Sequence, residues 1–113
     1  NWITTTKEAC SFVKELGNPS IAMQLDTGTV ITNSEATAEF SEVKEAVGHV
    51  HLSEPKLLPL CLAPDEHNDV FRAAADIAPG TVTIEMLTKG QGDSAELALR
   101  SVRKVQELLQ EKR

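Results

Sequence analysis

The chain has no excess of basic residues: 11 Lys and Arg stand against 17 Asp and Glu in 113 residues, a formal net charge of −6. Phosphate backbones are bound by clustered positive charge, so no nucleic acid partner is expected. The basic residues that do gather near the C-terminus (Arg100, Arg103, Lys104, Lys112, Arg113) are interleaved with Glu96, Glu107 and Glu111, the pattern of a solvated helix face. No apolar run approaches the roughly 20 residues that a membrane-spanning helix needs, and no signal-peptide pattern is visible, so no membrane association is expected. Cysteine is scarce. Cys10 and Cys61 lie far apart and outside any CxxC pattern, and they read as two reduced thiols of a cytoplasmic protein rather than a disulfide. Low-complexity tracts, internal linkers and sequence repeats are missing too. With 41% hydrophobic and 25% charged residues, the composition is that of one globular unit.

What is present is an alternation of four helical patterns with three short strand patterns. The first helix starts at Thr5, where Thr5 and Glu8 can form a capping box. It is expected to bury Ala9, Phe12, Val13 and Leu16 and to stop at Gly17 and Pro19. The second runs from about Ser34, with Ala36, Phe40, Val43 and Val47 at helical spacing, and ends at Gly48. The third begins near Asp65, carries Val70, Phe71 and Ala74 inward, and breaks at Pro79-Gly80. In the last, Asp93 and Glu96 are the capping pair, and Ala95, Ala98, Val102, Val105 and Leu109 share one face. The expected strands are Ile21–Asp26, His49–Ser53 and Thr81–Leu87. Strands separated by single helices imply crossovers and a parallel sheet. The stretch Glu54–Pro64, with prolines at 55, 59 and 64, reads as a long loop of functional type.

Side chains alternate across a strand, which divides each pattern into two faces. Ile21, Met23 and Leu25 oppose Ala22, Gln24 and Asp26; Val50 and Leu52 oppose His49, His51 and Ser53; Val82, Ile84 and Met86 oppose Thr83 and Glu85. Each strand therefore has one apolar face for helices and one polar or small face. A sheet covered by helices on both sides would be apolar on both. Asp26, His51 and Glu85 all fall on the polar side at or near the C-terminal ends of their strands, where parallel α/β folds place their active sites. They are either a shared site or polar caps on a hydrated surface.

These residues sit in three phrases: Gln24-Leu25-Asp26-Thr27-Gly28, Gly48-His49-Val50-His51-Leu52-Ser53-Glu54-Pro55 and Val82-Thr83-Ile84-Glu85-Met86. Together they resemble the xylose isomerase-like TIM-barrel superfamily, in particular its sugar phosphate isomerase/epimerase and ketose 3-epimerase branch. The resemblance implies that residues 1–113 are the C-terminal portion of a (β/α)8 barrel, strands six to eight with their flanking helices, three parallel strands alternating with four helices. It also implies a divalent metal ion (Mn2+, Mg2+, Co2+ or Zn2+) held by Asp26, His51 and Glu85. His51 rather than His49 is matched to the ligand because an apolar residue and then an acidic one at Glu54 follow it; His49 would line the interior, facing substrate. Two departures stand out. The family's first metal-binding Glu has no counterpart in the chain, and Thr29 occupies a position where a His is common.

The implied activity is isomerisation or epimerisation of a sugar or sugar phosphate, a small-molecule substrate, by proton transfer through an enediolate. Glu85 would act as ligand and as catalytic acid/base. Glu54 would hydrogen-bond a substrate hydroxyl or stand as a solvent-exposed loop acid. His67 is read as a surface residue in the first turn of a helix, Lys56 and Lys89 as loop cations without a phosphate to bind, and Trp2 as a packing residue. Three strands cannot close an eight-stranded barrel of about 250 residues. The chain alone is therefore expected to be inactive, and to self-associate or be covered by the missing N-terminal half of the barrel. Other readings of the same residues are a non-catalytic α/β interaction module and a metal-dependent hydrolase or lyase on the same barrel.

Overall fold

The computed structural model describes residues 4–111; Trp2, Lys112 and Arg113 lie outside that range. The fold is α/β: a three-stranded parallel sheet in the order β1-β2-β3 with five α-helices. Their order is α1 (Thr6–Leu16), β1 (Met23–Asp26), α2 (Thr27–Thr32), α3 (Phe40–Val43), β2 (Val47–Leu52), α4 (Asn68–Asp76), β3 (Val82–Ile84) and α5 (Ser94–Glu111). Among the described residues no helix is long and apolar enough to cross a membrane.

Helix α1 begins as its sequence suggests. Thr5 is the N-cap, its hydroxyl accepting the Glu8 N–H at 3.2 Å, and Gly17 closes the helix in a left-handed conformation. The inward stripe is Thr6 and Cys10 with Ala9 and Val13 beside them, whereas Leu16 is exposed. Helix α2 is an addition to the expected four. Its β-branched run, Thr27, Thr29, Val30, Ile31 and Thr32, has the composition of a strand, yet Asp26 ends β1 and caps α2 at the same time. The helix expected from Ser34 is broken into 3-10 turns, Thr37–Glu39 and Lys44–Ala46, on either side of the short α3. Val47 belongs to β2 rather than to that helix. In β1 and β3 the expected ends fray: Ile21 and Leu87 are exposed outside the ladder.

The register explains how β2 keeps its faces. Met23 pairs with Val47 and Gln24 with His49, so the extra residue, Gly48, makes a bulge that shifts the alternation by one. Val47 and Val50 consequently share the apolar side. A side chain at Gly48 would meet the Ala22 Cβ at 2.7 Å, so only glycine lets β1 approach there. Beyond the bulge the pairs are Leu25 with Val50, Asp26 with His51, His51 with Thr83 and Leu52 with Ile84. The Glu85 N–H donates to Leu52 O at 3.0 Å, carrying the β2–β3 ladder one residue further.

One core lies on the apolar side. Leu25, Val50 and Leu52 pack with Cys10 of α1, Val30 of α2, Phe40 and Val43 of α3, Phe71 and Ala74 of α4, and Val105 and Leu108 of α5. Each fully buried Leu or Phe contributes about 2 kcal/mol. Helix α5 is turned from its expected face. Leu97, Ser101, Val105 and Leu108 point inward, while Ala95, Ala98 and Val102 are exposed, because Ser101 and Lys104 are drawn to the 54–64 segment. The Ser101 hydroxyl accepts the Cys61 N–H at 3.1 Å, and Lys104 Nζ donates to the carbonyls of Leu60 and Ala63 at 3.0 and 3.1 Å. Lys104 is thus a half-buried clamp and not part of a solvated basic face. Both cysteines are free thiols, Cys10 buried and Cys61 half-buried.

Candidate functional site

The polar side of the sheet carries cross-strand hydrogen bonds in place of packing. His49 Nε2 lies 3.1 Å from Thr83 Oγ1, and the His49 and His51 rings meet edge-on with centroids 4.8 Å apart. One step toward the C-terminal ends, His51 Nδ1 lies 2.6 Å from Glu85 Oε2. An ionised carboxylate only accepts, so with Glu85 ionised the ring proton sits on Nδ1. In the neutral ring Nε2 then carries the lone pair, and it has no hydrogen-bond partner among the described residues. Side-chain exposure is 20% at His51 and 43% at Glu85, enough for a ligand to reach both.

Asp26 is held differently. Its Oδ1 accepts the Gly28 N–H at 3.0 Å, as the cap of α2, and also accepts the hydroxyl of Ser53. The Ser53 hydroxyl in turn accepts the Gly28 N–H at 3.0 Å. Ser53 is completely buried and locked through its backbone: Thr27 Oγ1 donates to Ser53 O and accepts from Ser53 N, each at 2.8 Å. A Cβ at Gly28 would meet Ser53 Oγ at 2.8 Å and Glu54 O at 3.0 Å, so glycine is needed where α2 abuts the end of β2.

Around these ends opens a pocket of about 590 Å3, with Asp26, Glu85, Ser53 and Glu54 among its lining residues. Lys56 and Leu57 form part of its wall, and both have left-handed backbone, with φ of 62° and 57°. That conformation costs about 1 kcal/mol or more per residue. It is held by Leu57 N–H to Glu54 O at 2.9 Å and Leu87 N–H to Leu57 O at 2.7 Å. Glu54 is only 4% exposed, and both its oxygens face His67 Nδ1, at 3.0 and 2.7 Å. Glu54, expected to bond a substrate hydroxyl or stand as a solvent-exposed loop acid, is instead buried against His67, the histidine read as a surface residue. Lys89 is exposed, and neither it nor His49 lines the pocket.

Asp26, His51 and Glu85 thus occupy adjacent strand ends on one face. Two carboxylates and an imidazole are donor types that suit Mn2+, Mg2+, Co2+ or Zn2+. As the side chains stand they form a hydrogen-bonded network. Among the described residues no group of three or more His, Cys, Asp or Glu is arranged to hold an ion. Seating one would exchange the His51–Glu85 bond for bonds to the metal.

Sequence reasoning singled out Asp26, His51, Glu85 and Glu54 but missed Ser53 and Thr27 as parts of the site. Ser53 falls on the polar face by alternation, and that signal could have drawn attention to it. No protein-family model matches the chain, and no curated protein matches it.

Proposed function

We propose that this chain is part of a divalent-metal-dependent sugar or sugar phosphate isomerase or epimerase, its strands and helices being the last βα units of a (β/α)8 barrel. The observation that carries the reading is the presence of Asp26, His51 and Glu85 on one open face, at the C-terminal ends of three neighbouring parallel strands. Those three residues would hold the ion, which when bound supplies positive charge toward the substrate oxygens.

The proton chemistry belongs to Glu85. Its carboxylate, reachable from the pocket, takes the proton from the carbon beside a ketose carbonyl, and the electron pair moves to the carbonyl oxygen to give an enediolate. Without an ion, His51 holds Glu85 through the 2.6 Å bond to Oε2, leaving Oε1 without a protein partner among the described residues; with an ion seated, the ion would take over the orienting of Glu85 from that bond. Return of that proton from Glu85 to the neighbouring carbon gives the aldose; a proton delivered to the opposite face of the same carbon by a second carboxylate, the family's Glu that has no counterpart in the chain, gives the epimer. Glu54, Pro55 and Leu57 line the pocket with Glu85, and Glu54 is held there by His67.

The test is an assay of the protein that carries this chain for interconversion of ketoses with their epimers and aldoses. Chelation is expected to abolish turnover, and Glu85→Gln to lower kcat by about 10^3-fold or more with little change in KM. Full activity of Glu85→Gln overturns the proposal.

A further inference from the structure

We propose that Ser53 is a positioning residue that fixes which oxygen of Asp26 the pocket receives. Asp26 Oδ1 is filled by two donors, the Ser53 hydroxyl and the Gly28 N–H, whereas Oδ2 has no hydrogen-bond partner among the described residues. Asp26 therefore offers a ligand a single oxygen in one orientation. Without the Ser53 hydroxyl, one amide would remain on Oδ1, and the carboxylate could rotate about χ1 and χ2.

Ser53 can do this because it cannot move. It lies at the end of β2, fully buried, with its N–H and carbonyl both tied to the Thr27 hydroxyl at 2.8 Å. Thr27 is itself fully buried and follows Asp26 directly, so the residue that pins Ser53 and the residue that Ser53 pins are chain neighbours. Gly28 completes the loop by donating to both Ser53 Oγ and Asp26 Oδ1. The result is a short ring of hydrogen bonds joining the ends of β1 and β2 on the pocket side. Supporting groups of this kind tune a ligand's affinity without touching what it binds. The part of this inference that concerns a metal rests on the proposed function; the part that concerns the Asp26 rotamer does not.

Two measurements on the folded chain test it, with Ser53→Ala and the slightly larger Ser53→Cys, whose thiol is a weak donor. The first is the Asp26 Hα–Hβ scalar coupling by NMR without metal. A single rotamer is expected in the wild type and an averaged one in both variants, while the amide spectrum of β2 and α4 stays native. The second is Mn2+ affinity by titration calorimetry. Each variant should weaken binding by roughly 10- to 100-fold, and Ser53→Ala made on an Asp26→Asn background should change it by less than about twofold, since coupled residues are non-additive. An unchanged Asp26 rotamer in both variants overturns the proposal, as does an equal loss of affinity with and without the Asp26 carboxylate. A wild-type chain that takes up no Mn2+ counts against the metal site of the proposed function, and the coupling measurement still decides the role of Ser53.

Discussion

On the helix side of the sheet, Leu25, Val50 and Leu52 are wholly enclosed, while on the other side Asp26, His51 and Glu85 stay accessible. Asp26 and His51 each follow an enclosed residue directly in the chain, yet different forces hold the two sets. The enclosed set is held by packing against five helices. The accessible set is held by cross-strand bonds, His51 to Glu85 and Ser53 to Asp26, of which a ligand can replace the first. The difference shows how a small sheet separates its stability from its chemistry: apolar area accounts for the first, and exchangeable hydrogen bonds leave the second adjustable.

The sharpest way to break that comparison is a substitution on each side. Phe71→Ala empties a fully buried site under β2 and is expected to cost about 3–5 kcal/mol in urea unfolding. Glu85→Gln should stay within about 0.5 kcal/mol of the wild type, because its side chain is partly solvated and keeps an acceptor for His51. Comparable losses for the two would mean that the polar face is part of the structural core.

A smaller effect is expected at the boundary between the regions, where Glu54 is buried but faces the pocket. His67→Ala strands the Glu54 carboxylate without its imidazole partner, an expected loss of about 2–3 kcal/mol measured the same way. Adding Glu54→Leu should recover part of that loss, since no buried charge is then left unpaired. No recovery would show that the pair acts only by filling space.

The polar face was legible before any coordinates, because alternation along a strand depends on nothing but chain geometry. That is why Asp26, His51 and Glu85 could be grouped from spacing. Local signals with one physical meaning were legible as well: the Thr5 cap, Gly17, the Asp93 cap whose Oδ1 accepts the Glu96 N–H at 2.9 Å, and Phe71 with Ala74 on α4. What could not be read required knowledge of neighbours. A run of Thr, Val and Ile became α2 because Asp26 caps it and the pocket wall receives it, overriding propensity. The bulge at Gly48 exists because Ala22 lies against it, and α5 turned toward Leu97 and Ser101 because Lys104 and Ser101 find carbonyl and amide partners 40 or so residues away. Glu54 and His67 are thirteen positions apart across a proline-rich segment, a separation with no periodic signature.

The smallest expected effect lies on the outer surface of α1, where the comparison can be sharpened by pH. The Glu8 carboxyl is held below its usual range, first by the Thr4 hydroxyl at 2.9 Å and then by the Thr5 hydroxyl at 3.0 Å. A carboxyl depressed by folding contributes stability that is present above its unfolded pKa and lost as pH falls through the folded one. Lys7 has the opposite sign: raised by Glu39 first and then Glu42, it contributes below its unfolded pKa and loses that contribution as pH rises through the folded value. Relative to the intrinsic exchange rate at each pH, the amides in the first turn of α1 should therefore lose protection on acidification through and below about pH 4, where carboxyl groups ordinarily titrate. Glu8→Gln should flatten the response, while the β2 amides keep their protection throughout. If the β2 amides lost protection in step with α1, the sheet would open together with the surface helix, and the separation between the two regions would fail on the side where it matters for function.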